Sequence, residues 1–225
     1  MTSISHSELR EQLVDAAHLL VHAGVMSHSG HGNMSVRLPV TDQQMLLTST
    51  SSLRQVSGDQ LAVVTFDGEV VEGALDPGTL EIVSMHAGVY RARPDVAAVI
   101  HTHSPHVTSF AVAHQPLPCV YEAFLRFGIT DDIPVADWAP RGSPESVSNI
   151  VDQLGLHPTV PAVLLANHGL LAFGRDPRSA ALLIIIMEEA AELTMRARQL
   201  GGEKMFPAGA LEQERRHMQR FGSTR

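Results

Sequence analysis

The 225-residue sequence predicts a single mixed α/β domain. Short apolar runs closed by Gly, Pro or small polar residues alternate with stretches whose apolar residues recur at helical spacing. No internal repeat and no linker-like composition divides the chain. A length of 225 residues is enough to bury one sizeable core.

Ser5 and Glu8 have capping-box spacing, and Leu9, Leu13, Ala16, Ala17 and Leu20 follow at helical intervals, which predicts a helix over 7–23 that Gly24 ends. Ser27 to Ser35 reads as a loop of small polar residues leading into a strand at Val36-Arg37-Leu38. That loop suits either a surface turn or a backbone nest for an anionic or carbonyl group. Met45 to Thr48 is a second strand, and Ala62–Phe66, the Asp67-Gly68 turn and Glu69–Val71 form a hairpin. Pro77-Gly78 precedes a helix carrying Glu81, Met85, Val89 and Tyr90, which Arg91 to Asp95 closes.

Val96 to His103 is a buried strand, followed by a helical turn from His106 to Ala113 and a short strand around Pro118 to Tyr121. Ser143-Pro144-Glu145 starts a helix that Gly155 stops. Pro161–Ala166 and Leu170–Phe173 are buried strands flanking Asn167-His168-Gly169. Asp176-Pro177 opens a long helix to about Leu200, whose Ile184, Ile185 and Ile186 suit a core or subunit-contact helix. A tail begins at about 203, with a short helix in the charged stretch Glu212–Arg225 and a loose end.

A formal net charge of −8 offers no basic footprint, so nucleic acid is not an expected partner. The single cysteine, Cys119, excludes an internal disulfide framework and a Cys-rich zinc site. The polar start Met1 to His6 shows no signal peptide, and the longest apolar run, Ala180–Met187, is far too short to span a bilayer. A cytoplasmic protein without membrane attachment is the expectation.

Histidine is the unusual residue, 13 of 225, and three fall at the ends of apolar runs. His101 and His103 lie two apart on a strand, so they project from one face. Alone, that pair does not distinguish a metal site from two strand-end histidines. His168 ends a second buried run, and strands of one sheet can bring the three imidazoles together. Three protein ligands with open positions is a catalytic metal arrangement, whereas structural zinc is closed by four. His86 lies on a helix and is read as structural.

Gly32-Asn33-Met34-Ser35, Glu81 ahead of Arg91-Ala-Arg-Pro-Asp95, His101-Thr102-His103 and Asn167-His168-Gly169 together resemble the class II aldolase/adducin family over roughly residues 8 to 200. That family holds sugar-phosphate aldolases, a ribulose-phosphate 4-epimerase and several decarboxylases. The resemblance implies a three-layer αβα fold with a mainly antiparallel central sheet and a homotetramer. It implies one divalent ion per chain on His101, His103 and His168, zinc first, with manganese or iron as the other choices. It also implies Glu81 as the acid/base residue and a small-molecule substrate.

The sequence departs from the sugar-phosphate branch in its phosphate elements. Gly32-Asn33 matches the first. The second reads Thr48-Ser-Thr-Ser51, without the proline and glycine expected there, and glycine is what lets a phosphate approach backbone amides. The third reads Thr79-Leu80, and Leu80 offers no hydrogen bond. An apolar residue before the glutamate and the His31-Gly32 variant lean towards decarboxylases of hydroxylated carboxylic acids. Arg141, in Pro140-Arg-Gly142, has the chemistry to pair with a substrate carboxylate. Tyr121 and Glu122 fall near an aldolase tyrosine position without a fixed register. The expected activity is therefore a metal-dependent carbon–carbon lyase, acting by aldol cleavage or decarboxylation. A sugar-phosphate 4-epimerase and a non-catalytic adducin-like binding module are the alternatives.

Overall fold

The computed structural model describes residues 5–39 and 43–221; residues 1–4 of the polar start and residues 222–225, where a loose end was expected, lie outside the described residues. The helices are α1 (His6–His22), α2 (Pro77–Ala92), α3 (Pro105–Val112), α4 (Glu122–Arg126), α5 (Pro144–Leu156), α6 (Pro177–Gln199) and α7 (Ala210–Phe221). The strands are β1 (Gly32–Arg37), β2 (Gln44–Thr48), β3 (Leu61–Thr65), β4 (Val70–Glu72), β5 (Ala98–Thr102), β6 (Val135–Ala136), β7 (Ala162–Leu165) and β8 (Gly169–Gly174).

The strands form one sheet in the order β4-β3-β2-β1-β5-β8-β7-β6. Every pairing is antiparallel except β6 with β7. Alternate residues of the strands inside the edge strand β4 feed two cores. Met34, Val36, Ala98, Ile100, Leu170 and Ala172 pack on one face with residues of α1, α3 and α6. Leu47, Val99, Val163 and Leu171 pack on the other with residues of α2 and α5. The architecture is three-layer αβα with a mainly antiparallel sheet, as the resemblance implied.

Local signals placed the helix starts. Glu8 N–H donates to Ser5 Oγ at 3.3 Å and Ser5 N–H to Glu8 Oε2 at 2.7 Å, closing the capping box of α1. Ser143 accepts from Ser146 N–H, and Asp176 from Ser179 N–H, at the starts of α5 and α6.

Two expectations need correction, and one strand went unpredicted. Residues 32–35 are not loop but the first four residues of β1, laddered to β5 throughout and to β2 at Ser35. Pro118–Tyr121 forms no strand. Leu117 makes an isolated bridge to Ile133, Pro118 has no N–H to give, and Cys119 N–H donates to the Asp132 carboxylate. Val135–Ala136 does pair, parallel to β7, in a strand too short to stand out in the sequence. At the C-terminal end, Phe206 packs against the α1/α3/α6 core, and α7 lies on α4.

Candidate metal centre and active site

β5 carries His101 on the α2/α5 face of the sheet, two residues from Val99 in that core, and His103 follows just beyond the strand end. His168 stands in the turn between β7 and β8. Asn167 before it takes the left-handed conformation, φ 57°, which Asn tolerates better than most residues. Gly169 after it is required by closeness. A Cβ there would meet Thr102 O at 2.5 Å, His103 Cδ2 at 2.9 Å and His101 Cε1 at 3.3 Å.

The three histidines offer ligand atoms that all lie within 4.8 Å of one another. His101 Nε2 and His103 Nε2 are 3.1 Å apart. Two nitrogens sharing a zinc ion at about 2.0–2.1 Å stand roughly 2.8–3.4 Å apart for bond angles between 90° and tetrahedral, so this spacing fits a shared cation. His101 Nδ1 lies 2.9 Å from Leu170 O, so Nδ1 carries the proton and Nε2 is left as the ligand.

Burial pushes the His101 imidazole well below its ordinary range, with His168 and His103 adding to the effect. Burial, then His168, His31 and Arg141, lowers His103 to about 4. His168 is lowered by burial and by Arg141. Three neutral imidazoles at neutral pH are the form in which histidine binds a metal.

The cluster opens into a cavity of about 440 Å³. Of the residues singled out from the sequence, Gly32, Asn33, Ser51, Glu81, His101, His103, Arg141 and His168 all line it. Glu81 comes from the first turns of α2 and is not one of the clustered ligand groups; its Oε2 lies 3.5 Å from Arg141 Nε. Arg141 also donates to Gly78 O, tying the 137–142 loop to the start of α2.

Thr48 and Thr79 are not brought to the cavity. Thr48 Oγ1 accepts from Met34 N–H at 3.1 Å, and Thr79 Oγ1 donates to Ser49 O at 3.1 Å, so both hydroxyls hold backbone instead. Tyr121 packs against the core and Glu122 pairs with Arg126, so neither joins the lining in this chain.

Of three further residues here, sequence reasoning marks His31 only as a variant of the first loop, reads His86 as structural and does not single out Trp138. His31 sets its ring edge-on to His103, with centroids 6.3 Å apart; a histidine just before the Gly-Asn pair was its only signal. Trp138, 60% exposed, lines the cavity with Ile82, Met85 and Leu165, and nothing in its neighbourhood announced that. His86 contacts the lining residue Asn33 from behind, at 2.6 Å.

Residues 11–195 match the family model described as the class II aldolase and adducin N-terminal domain. Among curated relatives, a 5-deoxy-D-ribulose 1-phosphate aldolase of Bacillus thuringiensis serovar kurstaki is 26% identical over 219 residues, covering 95% of this chain and 96% of that one. An L-ribulose-5-phosphate 4-epimerase of Salmonella paratyphi C is 29% identical over 203 residues, covering 85% and 86%. Among solved structures, an L-fuculose 1-phosphate aldolase superposes with a TM-score of 0.82 at 25% identity, covering 97% of this chain and 100% of its own. No helix among the described residues is long and apolar enough to cross a membrane. With its histidine cluster, cavity and sheet order in place, the chain belongs to the class II aldolase and adducin N-terminal domain family.

Proposed function

We propose that this chain is a divalent-metal-dependent carbon–carbon lyase acting on a small hydroxy-carbonyl compound, with one zinc ion per chain on His101, His103 and His168. The observation that carries the reading is the convergence of three neutral imidazoles on one wall of a cavity that also holds a carboxylate and a guanidinium. When bound, a divalent cation there polarises a substrate carbonyl and stabilises the enolate left as the carbon–carbon bond breaks. The chain's residues supply the rest. Glu81 takes the proton of the hydroxyl β to the carbonyl, the bond between the α and β carbons breaks, and an aldehyde leaves. Glu81, or a group it relays to, then returns a proton to the α carbon. The aldolases among the relatives support this arm, and the homotetramer of the family is proposed here too.

Decarboxylation is the second reading. Ile82, Met85, Trp138 and Leu165 give the cavity an apolar wall, and among the described residues Arg141 is the one Lys or Arg in its lining. With Thr48 and Thr79 turned to backbone, a phosphate loses two of its expected donors, whereas a carboxylate can still pair with Arg141. For a carboxylate β to a carbonyl, the bond to the carboxyl carbon breaks, carbon dioxide leaves in place of the aldehyde, and an enolate again remains to take a proton at its α carbon.

One experiment tests both. Protein purified without a metal-binding tag is analysed for metal, then assayed on ketose phosphates and hydroxy-acids for aldehyde against carbon dioxide release. About one divalent ion per chain, with turnover, is expected. Glu81→Gln should keep the metal and lose roughly 10²-fold or more in kcat. No metal, and none taken up from added zinc or manganese, rejects the lyase and leaves a binding module.

A further inference from the structure

Behind the cavity, on the sheet side of α2, four polar side chains form an unbroken buried chain. Asn33 and Ser35 sit two apart on β1 and so face the same way; His86 and Tyr90 sit one helical turn apart on α2 and face them. Tyr90 Oη lies 2.7 Å from Ser35 Oγ, Ser35 Oγ 2.7 Å from His86 Nδ1, and His86 Nε2 2.6 Å from Asn33 Oδ1. His86 and Ser35 are 0% exposed, Tyr90 1% and Asn33 6%.

The far end is rigidly rooted. Phe66 stacks on Tyr90 at 5.4 Å, and the Arg37 guanidinium lies 4.8 Å from the Tyr90 ring centroid while donating to Tyr90 O. The near end is Asn33, which faces His101 across the β1–β5 ladder and lines the cavity.

Hydrogen-bond direction follows from the ends. An amide oxygen cannot donate, so the ring proton of a neutral His86 is on Nε2, and Nδ1 accepts from Ser35, which accepts from Tyr90. Burial lowers His86 to about 3, which keeps the ring neutral. The Asn33 oxygen is thereby taken. Its Nδ2 donates to no protein atom among the described residues, yet it is not among the fully buried atoms left without a partner. Its N–H donors therefore open to the cavity, beside His101.

We propose that His86 is a positioning residue: through Asn33, it fixes an amide donor beside the histidine cluster that binds an oxygen of the substrate. Without it, the Asn33 amide is free to turn its oxygen to the cavity and repel the same substrate atom. What the donor meets rests on the lyase reading; that the donor is held by His86 does not.

The test uses the full zinc-loaded chain and glycolohydroxamate, whose two adjacent oxygens mimic an enediolate. Wild type, His86→Leu, His86→Gln, Asn33→Ala and the Asn33→Ala/His86→Leu double variant are compared by calorimetry, with zinc content measured alongside. His86→Leu is expected to weaken binding about tenfold at unchanged zinc content. Glutamine, whose amide can replace the Nε2 donor, should restore affinity to within about threefold, and His86→Leu should add less than about twofold to Asn33→Ala. A general packing role would lower stability in both backgrounds and leave the losses additive. Nitrogen-15 spectra of labelled histidine should show His86 protonated on Nε2.

An Nδ1-protonated ring, full affinity in His86→Leu, no rescue by glutamine, or additive losses overturns the proposal. If wild type does not bind the hydroxamate, the lyase reading fails, and the Asn33 side-chain amide resonances decide the positioning alone. Resonances averaged or shifted in His86→Leu uphold it; unchanged ones overturn it. Should the leucine variant fail to fold, Ser35→Ala, which removes the hydroxyl on Nδ1, takes its place in the same comparisons.

Discussion

Gly169 shows how closely the backbone itself is fitted at the histidine cluster. Its Cα lies where any side chain would strike a carbonyl of β5 and the ring edges of two histidines, and the nearest of these, Thr102 O at 2.5 Å, is backbone that cannot swing aside. Gly169→Ala must therefore push β8 from β5 or move the imidazoles. Overpacking of this kind costs about 1–3 kcal/mol, and the distortion falls on the ligands. Zinc affinity, read by competition with a chromophoric chelator, should drop at least about tenfold for ~1.4 kcal/mol of ligand misplacement, with a lower urea midpoint in the metal-free protein. Unchanged zinc affinity would mean that the cluster does not depend on this close approach. Gly32 is constrained in a similar way, since a Cβ there would meet His101 O at 2.7 Å.

Among the elements, α3 is the one whose placement bears directly on the cluster, because it begins two residues after His103. Its first turn is held by Glu188, a buried residue of α6. The Glu188 carboxylate accepts from His106 N–H at 2.9 Å and Val107 N–H at 3.0 Å, and lies 2.8 Å from His106 Nδ1. It thus caps a helix from another element. Glu188→Ala leaves those donors buried without partners and should cost about 2–4 kcal/mol in urea unfolding, by the sum of a lost cap and unsatisfied donors; a cost under about 0.5 kcal/mol would mean the cap is not needed. This contact spans 82 residues in sequence, and nothing near Glu188 announces it. Caps made within a few residues were readable, as Ser5, Ser143 and Asp176 were. Strand limits were not, because pairing is decided by neighbours far along the chain. Gly32 to Ser35 looks polar and turn-like, yet β2 and β5 hold it in the sheet; Pro118 to Tyr121 looks apolar and extended, yet its donors go elsewhere. The three histidines stood out because each ends an apolar run. His86 did not, since its partners Asn33 and Ser35 lie about 50 residues away, a separation at which sequence spacing carries no signal.

Taken as a whole, the molecule seals an ionisable ring between α2 and the sheet, and that ties its stability to pH. In the unfolded chain the His86 imidazole takes a proton near its ordinary 6.5, whereas in the folded chain burial holds it at about 3. Its direct partners, Asn33 and Ser35, are uncharged and offer nothing to hold a second ring proton. Between those two values the unfolded state binds a proton that the folded state excludes, so stability falls as pH drops below 6.5 and stops falling on this account only near 3. Each unit of pH in that window removes up to ~1.4 kcal/mol for one such group. The cluster histidines act in the same direction, so a single pH profile does not isolate His86; a difference between two does. Metal-free wild type and His86→Gln, unfolded in urea at pH 7, 6 and 5, should diverge in slope. From pH 7 to 5 the wild type is expected to lose about 2 kcal/mol more than the glutamine variant. Parallel profiles would mean that the ring protonates inside the folded protein, and the buried chain from Tyr90 to Asn33 would then have to open to water at mildly acid pH.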